Sequence, residues 1–197
     1  MLFAHDTELA LVAAAALVNT DGGDEEKLPD VAALTAFLDT YGWTGRHDGT
    51  EAELRSARRL RPRLRRVWYE DEDGVVTIVN TLLREARALP QLVKHNDEPY
   101  HLHATPPDAP LAQRMAVEAA MAIADLVRGG ELSRLRICDY PGCGNVLVDL
   151  SKNRSKRYCD TGCGNRAAVA AYRARRLHSV PGTPAQPPES PRPRADS

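Results

Sequence analysis

Four cysteines are the residues of this 197-residue chain whose type and spacing most clearly indicate chemistry. They form two close pairs, Cys138 with Cys143 and Cys159 with Cys163, and fifteen residues separate the pairs. Two pairs of thiolates at this spacing can chelate one tetrahedral metal ion, and zinc is the metal that such sites usually hold. Because four thiolates fill a tetrahedral shell, no position is left for an activated water molecule. The pattern therefore predicts one structural Zn²⁺ ion and no catalytic one.

Two other interpretations of the cysteines compete with the zinc site, namely two disulfide bonds or four ordinary buried thiols. Disulfides suit secreted chains, but Met1 is followed by no basic segment and by no apolar segment with a cleavage site. Thiols that only fill space would be scattered along the chain. Since no apolar run reaches the length of a transmembrane helix, we expect a soluble, cytoplasmic protein with reduced cysteines.

The segments around the cysteines predict the elements that would position them. A proline and a glycine inside the first pair allow a tight turn that directs backbone amides toward sulfur. Val146–Val148 and Lys156–Tyr158 flank a polar run, which is typical of a short hairpin closed by a loop. An alanine-rich segment after Cys163 favours a helix. Turn, hairpin and helix in this order predict a treble-clef-like zinc finger.

The tetrapeptide Cys163-Gly164-Asn165-Arg166 and the residues before it resemble the CGNR zinc-finger family of bacterial proteins. The family pattern runs from the second ligand through an apolar strand, an Asp, a Ser and a basic loop to an Arg, an aromatic residue and the third ligand. This chain presents, in that order, Cys143, Val146, Asp149, Ser151, Arg154, Arg157, Tyr158 and Cys159. It departs from the pattern at Leu147, where an aromatic residue is expected, and at Tyr158, where Trp is usual. Both residues keep apolar bulk.

Residues 1–133 resemble the ABATE domain that precedes the finger in this family. Asn19 and Thr20 follow the first predicted helix and Trp43 follows the second, as in the ABATE pattern. The resemblance implies a transcription regulator in which the finger binds DNA and the ABATE domain senses a small molecule or a stress signal. Asn19, Thr20 and Trp43 are then the candidate ligand-binding residues. Residues 134–178 form the finger in this division, and 179–197 form a disordered, proline-rich tail.

Helical spacing of apolar residues dominates the first domain and predicts a mainly α fold with a small β-hairpin, of the α+β class. A first helix should end near Asn19, and Pro29 can open a second. Thr50 and Glu53 have the spacing of a capping box, and Pro62 should kink or divide the helix that follows. Further helices are predicted at 75–89 and 111–128, and two short strands at 91–94 and 100–104. His101 and His103 on the second strand are interpreted as ordinary strand histidines, not metal ligands.

Charge is segregated along the chain, although the formal net charge is only -1. Residues 1–133 carry 14 cationic and 22 anionic side chains, whereas residues 134–178 carry 10 and 3. At 100° per residue, Arg166, Arg173 and Arg176 lie within about 80° of one another on a helix. The residues predicted to contact DNA are these three arginines and four loop cations, Lys152, Arg154, Lys156 and Arg157. Seven arginines between residues 55 and 66 are interpreted instead as a solvated face paired with acidic neighbours.

Two alternatives to a DNA-binding regulator remain open at this point. The finger could be a structural zinc module for protein–protein docking, with its basic helix against an acidic protein or the body of the chain. An enzyme is not predicted, because the first domain has no glycine-rich phosphate loop, nucleophile motif or acid/base pair. Asp149, Ser151 and Asn153 suit a loop better than catalysis. A small-molecule effector and a homodimer are compatible with the sequence, which identifies neither.

Overall fold

A computed structural model describes residues 3–22, 25–94 and 100–178. These residues form six α-helices and two separate two-stranded antiparallel sheets, which confirms the mainly α fold with a small hairpin. The elements are α1 His5–Asn19, α2 Val31–Thr40, α3 Glu51–Arg65, α4 Glu72–Glu85, β1 Gln91–Val93, β2 His101–His103, α5 Leu111–Arg128, β3 Leu135–Ile137, β4 Val146–Val148 and α6 Cys163–His178. The predicted tail, 179–197, and the connection at 95–99 lie outside the described residues.

Two compact units make up the chain, Met1–Gly164 and the part that begins at Asn165. In the first unit, buried apolar side chains of α1, α3, α4 and α5 form one core. The alanine-rich α1 contributes Leu11 and Val18, both fully buried, as its apolar sequence predicts. The same core includes Val146 and Val148 of β4. The strand between the two cysteine pairs is therefore built into the helical body.

Side-chain caps determine where three helices begin. Asp30 caps α2 by accepting a hydrogen bond from Ala33 N at 2.8 Å, so the helix starts at Val31, two residues later than the predicted start at Pro29. Thr50 caps α3 through Glu53 N at 3.2 Å, as the capping box predicts. Asp71 caps α4 through Gly74 N. The prediction of a helix over 75–89 was wrong at both ends, because this cap starts α4 at Glu72 and the helix ends at Glu85.

Pro62 does not divide α3, which continues to Arg65. Proline has no N–H to donate to the carbonyl of Arg58, four residues earlier. The side chain of Arg61 donates to that carbonyl at 3.3 Å and replaces the missing partner. Of the two predicted effects of this proline, a kink or a division, the division was therefore wrong.

The finger hairpin pairs different segments from those predicted. Strand β4 pairs with β3, with Arg136 opposite Leu147, whereas Lys156–Tyr158 forms no strand. Lys156 N donates instead to the side chain of Asp149 at 2.9 Å, and the carbonyl of Arg157 accepts from Asp139 N. The segment after the loop is thus held by the side chains of Asp149 and Arg136 and by the backbone bond from Asp139, and it does not pair as a strand. The alternation of residue types that identifies a strand therefore does not apply to it.

Candidate zinc centre and the surfaces around it

The four cysteine sulfurs converge on one point. All four Sγ atoms lie within 4.8 Å of one another, and three of the distances are 3.6 Å for Cys143–Cys159, 3.5 Å for Cys159–Cys163 and 3.4 Å for Cys163–Cys143. A tetrahedral ion with Zn–S bonds of about 2.3 Å separates its sulfur ligands by about 3.8 Å. The donor set and its dimensions therefore fit one structural zinc ion. None of the four cysteines is in a disulfide bond.

Hydrogen-bond donors surround the sulfurs. Three sulfurs accept from the backbone N–H two residues further along the chain: Cys138 from Tyr140, Cys143 from Asn145 and Cys159 from Thr161. The side chains of Asn145 and Thr161 also contact the Cys159 sulfur, at 3.5 and 3.0 Å. Donors of this kind stabilise thiolates. Sequence reasoning missed Asn145 and Thr161, although their position two residues after a cysteine was a usable signal.

Ionisation of the cysteines differs in the metal-free site. Burial and contacts with the other thiols raise the pKa of Cys143 to about 12, although the hydrogen bond from Asn145 N acts to lower it. Burial also acts to raise the pKa of Cys159, but hydrogen bonds from Thr161, Asn145 and Cys163 outweigh it and lower that pKa to about 6. Cys159 therefore ionises at lower pH than Cys143. A bound cation would favour loss of the remaining protons, so zinc binding releases protons near neutral pH.

Asp149 organises the loop between the cysteine pairs. Its side chain is fully buried and accepts from the backbone and hydroxyl of Ser151 and from Lys156 N. Burial acts to raise the pKa of Asp149, but these hydrogen bonds, with the guanidinium of Arg136 at 3.5 Å, lower it below the usual range. Buried Arg134 donates to the carbonyls of Asp149 and Ser151. The loop-forming role of Asp149 and Ser151 is confirmed.

Three of the four loop cations predicted to contact DNA form ion pairs with acidic side chains of the same unit. Their N–O distances are 2.9 Å for Arg154 with Glu131, 3.1 Å for Lys156 with Asp160 and 2.8 Å for Arg157 with Asp139. The fourth, Lys152, is exposed. Much of the positive charge that the sequence places in the loop is therefore balanced locally.

Helix α6 has a different charge balance. Arg166, Arg173 and Arg176 are exposed, together with Arg175, and the helix contains no acidic residue. The guanidinium of Arg176 lies 5.8 Å from the ring centre of Tyr172. Tyr172 and Val169 are 54% and 48% exposed, so this helix presents apolar as well as cationic groups.

Asn19 joins the helical body to the finger strand. Its side-chain amide donates to the carbonyl of Val146 at 2.7 Å, and its side-chain oxygen accepts from Val146 N at 2.8 Å. Trp68 Nε1 donates to the carbonyl of Leu147, and Arg65 donates to that of Gly144. The side chain of Asn19 thus bonds to β4 as a neighbouring strand would.

The three candidate ligand-binding residues line two different cavities. Asn19 and Thr20 line one of about 350 Å³ that also includes finger residues, and Trp43 lines another of about 180 Å³. Tyr41 lines both. The Thr20 hydroxyl donates to the carbonyl of Leu17 and accepts from Arg61. Because Asn19 and Thr20 are already bonded within the protein, ligand contact there stays a prediction.

Four of the seven arginines between residues 55 and 66 have the predicted acidic partners, but Arg61 is buried instead of solvated, and Arg65 donates to backbone carbonyls. Arg61 bonds to Glu26 at 2.6 Å and, through this hydrogen bond, lowers the pKa of that carboxyl to about 2. Other pairs are Arg63 with Glu85 and Arg66 with Glu70.

His101 and His103 were predicted to be ordinary strand histidines and not metal ligands, and they lie on strand β2. His101 and His103 have their Nε2 atoms 3.1 Å apart. In the described part of the chain, the only cluster of three or more candidate metal ligands is the cysteine site.

Comparisons with known families match both halves of the chain. The CGNR zinc finger family matches residues 134–176, and the ABATE family, described as "Putative stress-induced transcription regulator", matches residues 11–130. No curated protein matches the chain. Among the described residues, no helix is both long and apolar enough to cross a membrane. Because the second match covers more than half of the sequence, the chain belongs to the ABATE family of regulators and carries a CGNR zinc finger after the ABATE domain.

Proposed function

We propose that this regulator binds DNA through its zinc finger and that the helical body senses a ligand. The observation that carries the DNA-binding part is the unbalanced charge of α6, where four arginines occur without an acidic residue. DNA presents closely spaced phosphates, and arginine side chains release counterions when they bind them. Lys152, Arg154, Lys156 and Arg157 are assigned a secondary part, because three of them already have acidic partners.

Zinc has a positioning role in this proposal. Cys163 is both a zinc ligand and the first residue of α6. A zinc ion at the cysteines therefore fixes the first turn of the helix, and Arg166 follows in that turn. The ion supplies no reaction chemistry, because four thiolates complete its coordination shell.

Two structural features support sensing by the body. Helix α1 lines the cavity beside Trp43 with its N-terminal half, and Asn19 at its C-terminal end bonds to β4. Tyr41 lines both cavities, and its pKa is raised by burial and by the nearby carboxylate of Asp160, a finger residue. A ligand that shifts α1 or Tyr41 would thus act on residues that contact the finger.

Charge reversal on α6 tests DNA binding. With Arg173→Glu and Arg176→Glu together, we expect affinity for DNA from the protein's own upstream region to fall at least about 100-fold, since two phosphate contacts become repulsive. Fluorescence anisotropy over a salt series would measure the affinity. The slope of log K against log salt should also become shallower, by about 0.9 for each lost phosphate contact.

A matched control shows whether the position of the reversed arginines matters or only the change in net charge of the protein. Arg55→Glu with Arg59→Glu reverses two exposed arginines of α3 and changes the net charge equally. We expect DNA affinity to stay within about threefold of the wild type, because these residues lie on the body. Equal losses in the two double variants, or no loss in the α6 variant with zinc content and fold intact, would contradict the proposal.

Protein docking is a second candidate function, and the exposed Tyr172 and Val169 favour it. Interfaces are enriched in aromatic residues and arginine, and both occur on α6. Retention on DNA that falls steeply with salt would support the first function. A docking helix would instead lose its partner when Tyr172→Ala is introduced and would show no affinity for DNA.

A further inference from the structure

The cavity beside Trp43 is a candidate binding site that the zinc centre does not explain. Its volume is about 180 Å³, and α1, α5, β2 and the segment after α2 contribute to its lining. Leu9, Met121, Tyr41 and Trp43 give it apolar and aromatic walls. Pockets for drug-sized ligands enclose about 300 to 1,000 Å³. The cavity therefore suits a smaller molecule.

The charge of the lining is negative. Asp6, Glu118 and Asp125 contribute carboxyl groups, and the described lining residues include no lysine or arginine. Asp125 accepts a hydrogen bond from the Thr7 hydroxyl at 2.9 Å, and Asp6 accepts from Thr7 N and Leu102 N. Glu118 makes no hydrogen bond or ion pair with another described residue. Of the three carboxyl groups, Glu118 is the one that remains for a ligand.

Trp43 offers its ring, and not its N–H, to a ligand in this cavity. The indole Nε1 of Trp43 is inaccessible to water and has no hydrogen-bond acceptor within the described part of the chain. An atom that a water molecule does not reach is also out of reach of an acceptor on a ligand in the cavity. The rings of Trp43 and Tyr41 attract cations through their quadrupoles.

We propose that this cavity binds a small protonated amine. Glu118 supplies the countercharge, and the rings of Trp43 and Tyr41 attract the ammonium group and enclose the remainder of the molecule. The proposal deepens the sensing role above and rests on it for its regulatory meaning. Binding itself does not require DNA.

Proton exchange should accompany binding. Burial raises the pKa of Glu118 to about 7, Arg114 and His101 act to lower it, and Asp6 acts to raise it further. The other titratable groups of the lining are His103, Asp125 and Tyr41. An ammonium group favours the ionised carboxylate, so affinity for an amine should rise with pH below about 7 and level off above it.

Three probes of equal ring size test the ligand class. Tyramine, 4-ethylphenol and 4-hydroxyphenylacetate share a phenol and differ in bearing a positive, no or a negative charge on the side chain. Isothermal titration of the full-length, zinc-loaded protein at pH 7.5 should show tyramine binding at least about tenfold more tightly than the other two. Equal affinities, or tighter binding of the neutral or acidic probe, would overturn the proposal.

Variants test the roles of the two residues. Glu118→Gln should weaken tyramine binding about tenfold and remove its rise between pH 6 and 8, with 4-ethylphenol binding unchanged. Glu51→Gln, an exposed glutamate outside the cavity, serves as the matched control. Trp43→Leu removes an aromatic ring from the wall and should weaken tyramine binding more than 4-ethylphenol binding. Unchanged tyramine affinity in Glu118→Gln, with thermal unfolding as in the wild type, would refute the site.

Amine binding in the cavity and control of DNA binding by the amine can be tested separately. Tyramine binding without an effect on DNA affinity would leave the binding site established and contradict sensing. Loss of DNA binding in the α6 variant has no bearing on the titration, since no DNA is present in it.

Discussion

The finger loop and helix α6 each carry four cations, but the two regions place them in different electrostatic surroundings. In the loop, Arg154, Lys156 and Arg157 have acidic partners, and buried Asp149 fixes the backbone. In α6, four arginines occur without an acidic residue. The comparison shows that a count of basic residues does not separate cations that pair with nearby acidic side chains from cations on a helix that contains no acidic residue.

Of the changes considered, removal of zinc should have the largest effect, because it alters both the finger loop and helix α6. Structural zinc contributes about 10 to 16 kcal/mol of binding free energy in zinc-finger peptides, and that energy is coupled to folding. With excess chelator, we expect the ion pairs of the loop to be lost and α6 to lose DNA binding, because Cys163 no longer fixes its first turn.

Hydrogen exchange would measure the effect of chelation directly. The amides of Val146 and Lys156, which bond to Asn19 and Asp149, should exchange faster after chelation, and readdition of zinc should restore their protection. Protection that survives with no zinc bound would contradict a metal-dependent loop.

Substitution of Asp149 should have an intermediate effect, a loss of stability that is confined to the finger loop. Asp149→Asn replaces a carboxylate that accepts three hydrogen bonds, so we expect the free energy of unfolding to fall by about 1 to 3 kcal/mol at pH 7. Chemical denaturation of the zinc-loaded protein would measure it. Asp160→Asn, which alters an exposed carboxylate, should change stability by less than about 1 kcal/mol. Similar losses in the two variants would argue against a special role for Asp149.

Release of the paired loop cations should have the smallest effect. Asp139→Asn with Asp160→Asn removes the acidic partners of Arg157 and Lys156. We expect stability to change by less than about 1 kcal/mol, since both pairs are exposed. DNA affinity should rise a few-fold at low salt, because two more cations are then available for phosphates. A fall in affinity would mean that the ion pairs orient these side chains for binding.

The sequence was sufficient to predict the zinc ligands and most helices. The cysteine spacing carries its meaning locally, and helices such as α5 follow from apolar periodicity and a terminal Gly129-Gly130. The start of α4 could not be predicted, because an acidic run that looks like a break contains the cap Asp71. The wrong hairpin partner has a related cause, since Asp149 replaces backbone pairing after the loop.

The surroundings of the zinc site depend on contacts between distant segments. Asn19 is more than 100 residues from Val146 in the sequence, and no local pattern relates them. Glu118 similarly lies on a helical stripe that looks solvated, whereas in the fold it lines a cavity with Trp43. Sequence patterns identify residues that act with their neighbours in the chain. They do not identify residues whose partners are brought in by folding.

The bonds between Asn19 and Val146 also bear on how the finger could be transplanted. Residues 134–176 moved to another protein would keep their four thiolates but leave the N–H and C=O of Val146 and the C=O of Leu147 without their acceptor and donors. Val146 and Val148 would also lose the apolar surface that covers them. A recipient would have to supply an amide side chain and an indole at matching positions. The region that the family motif identifies is therefore smaller than the region needed to reproduce it elsewhere.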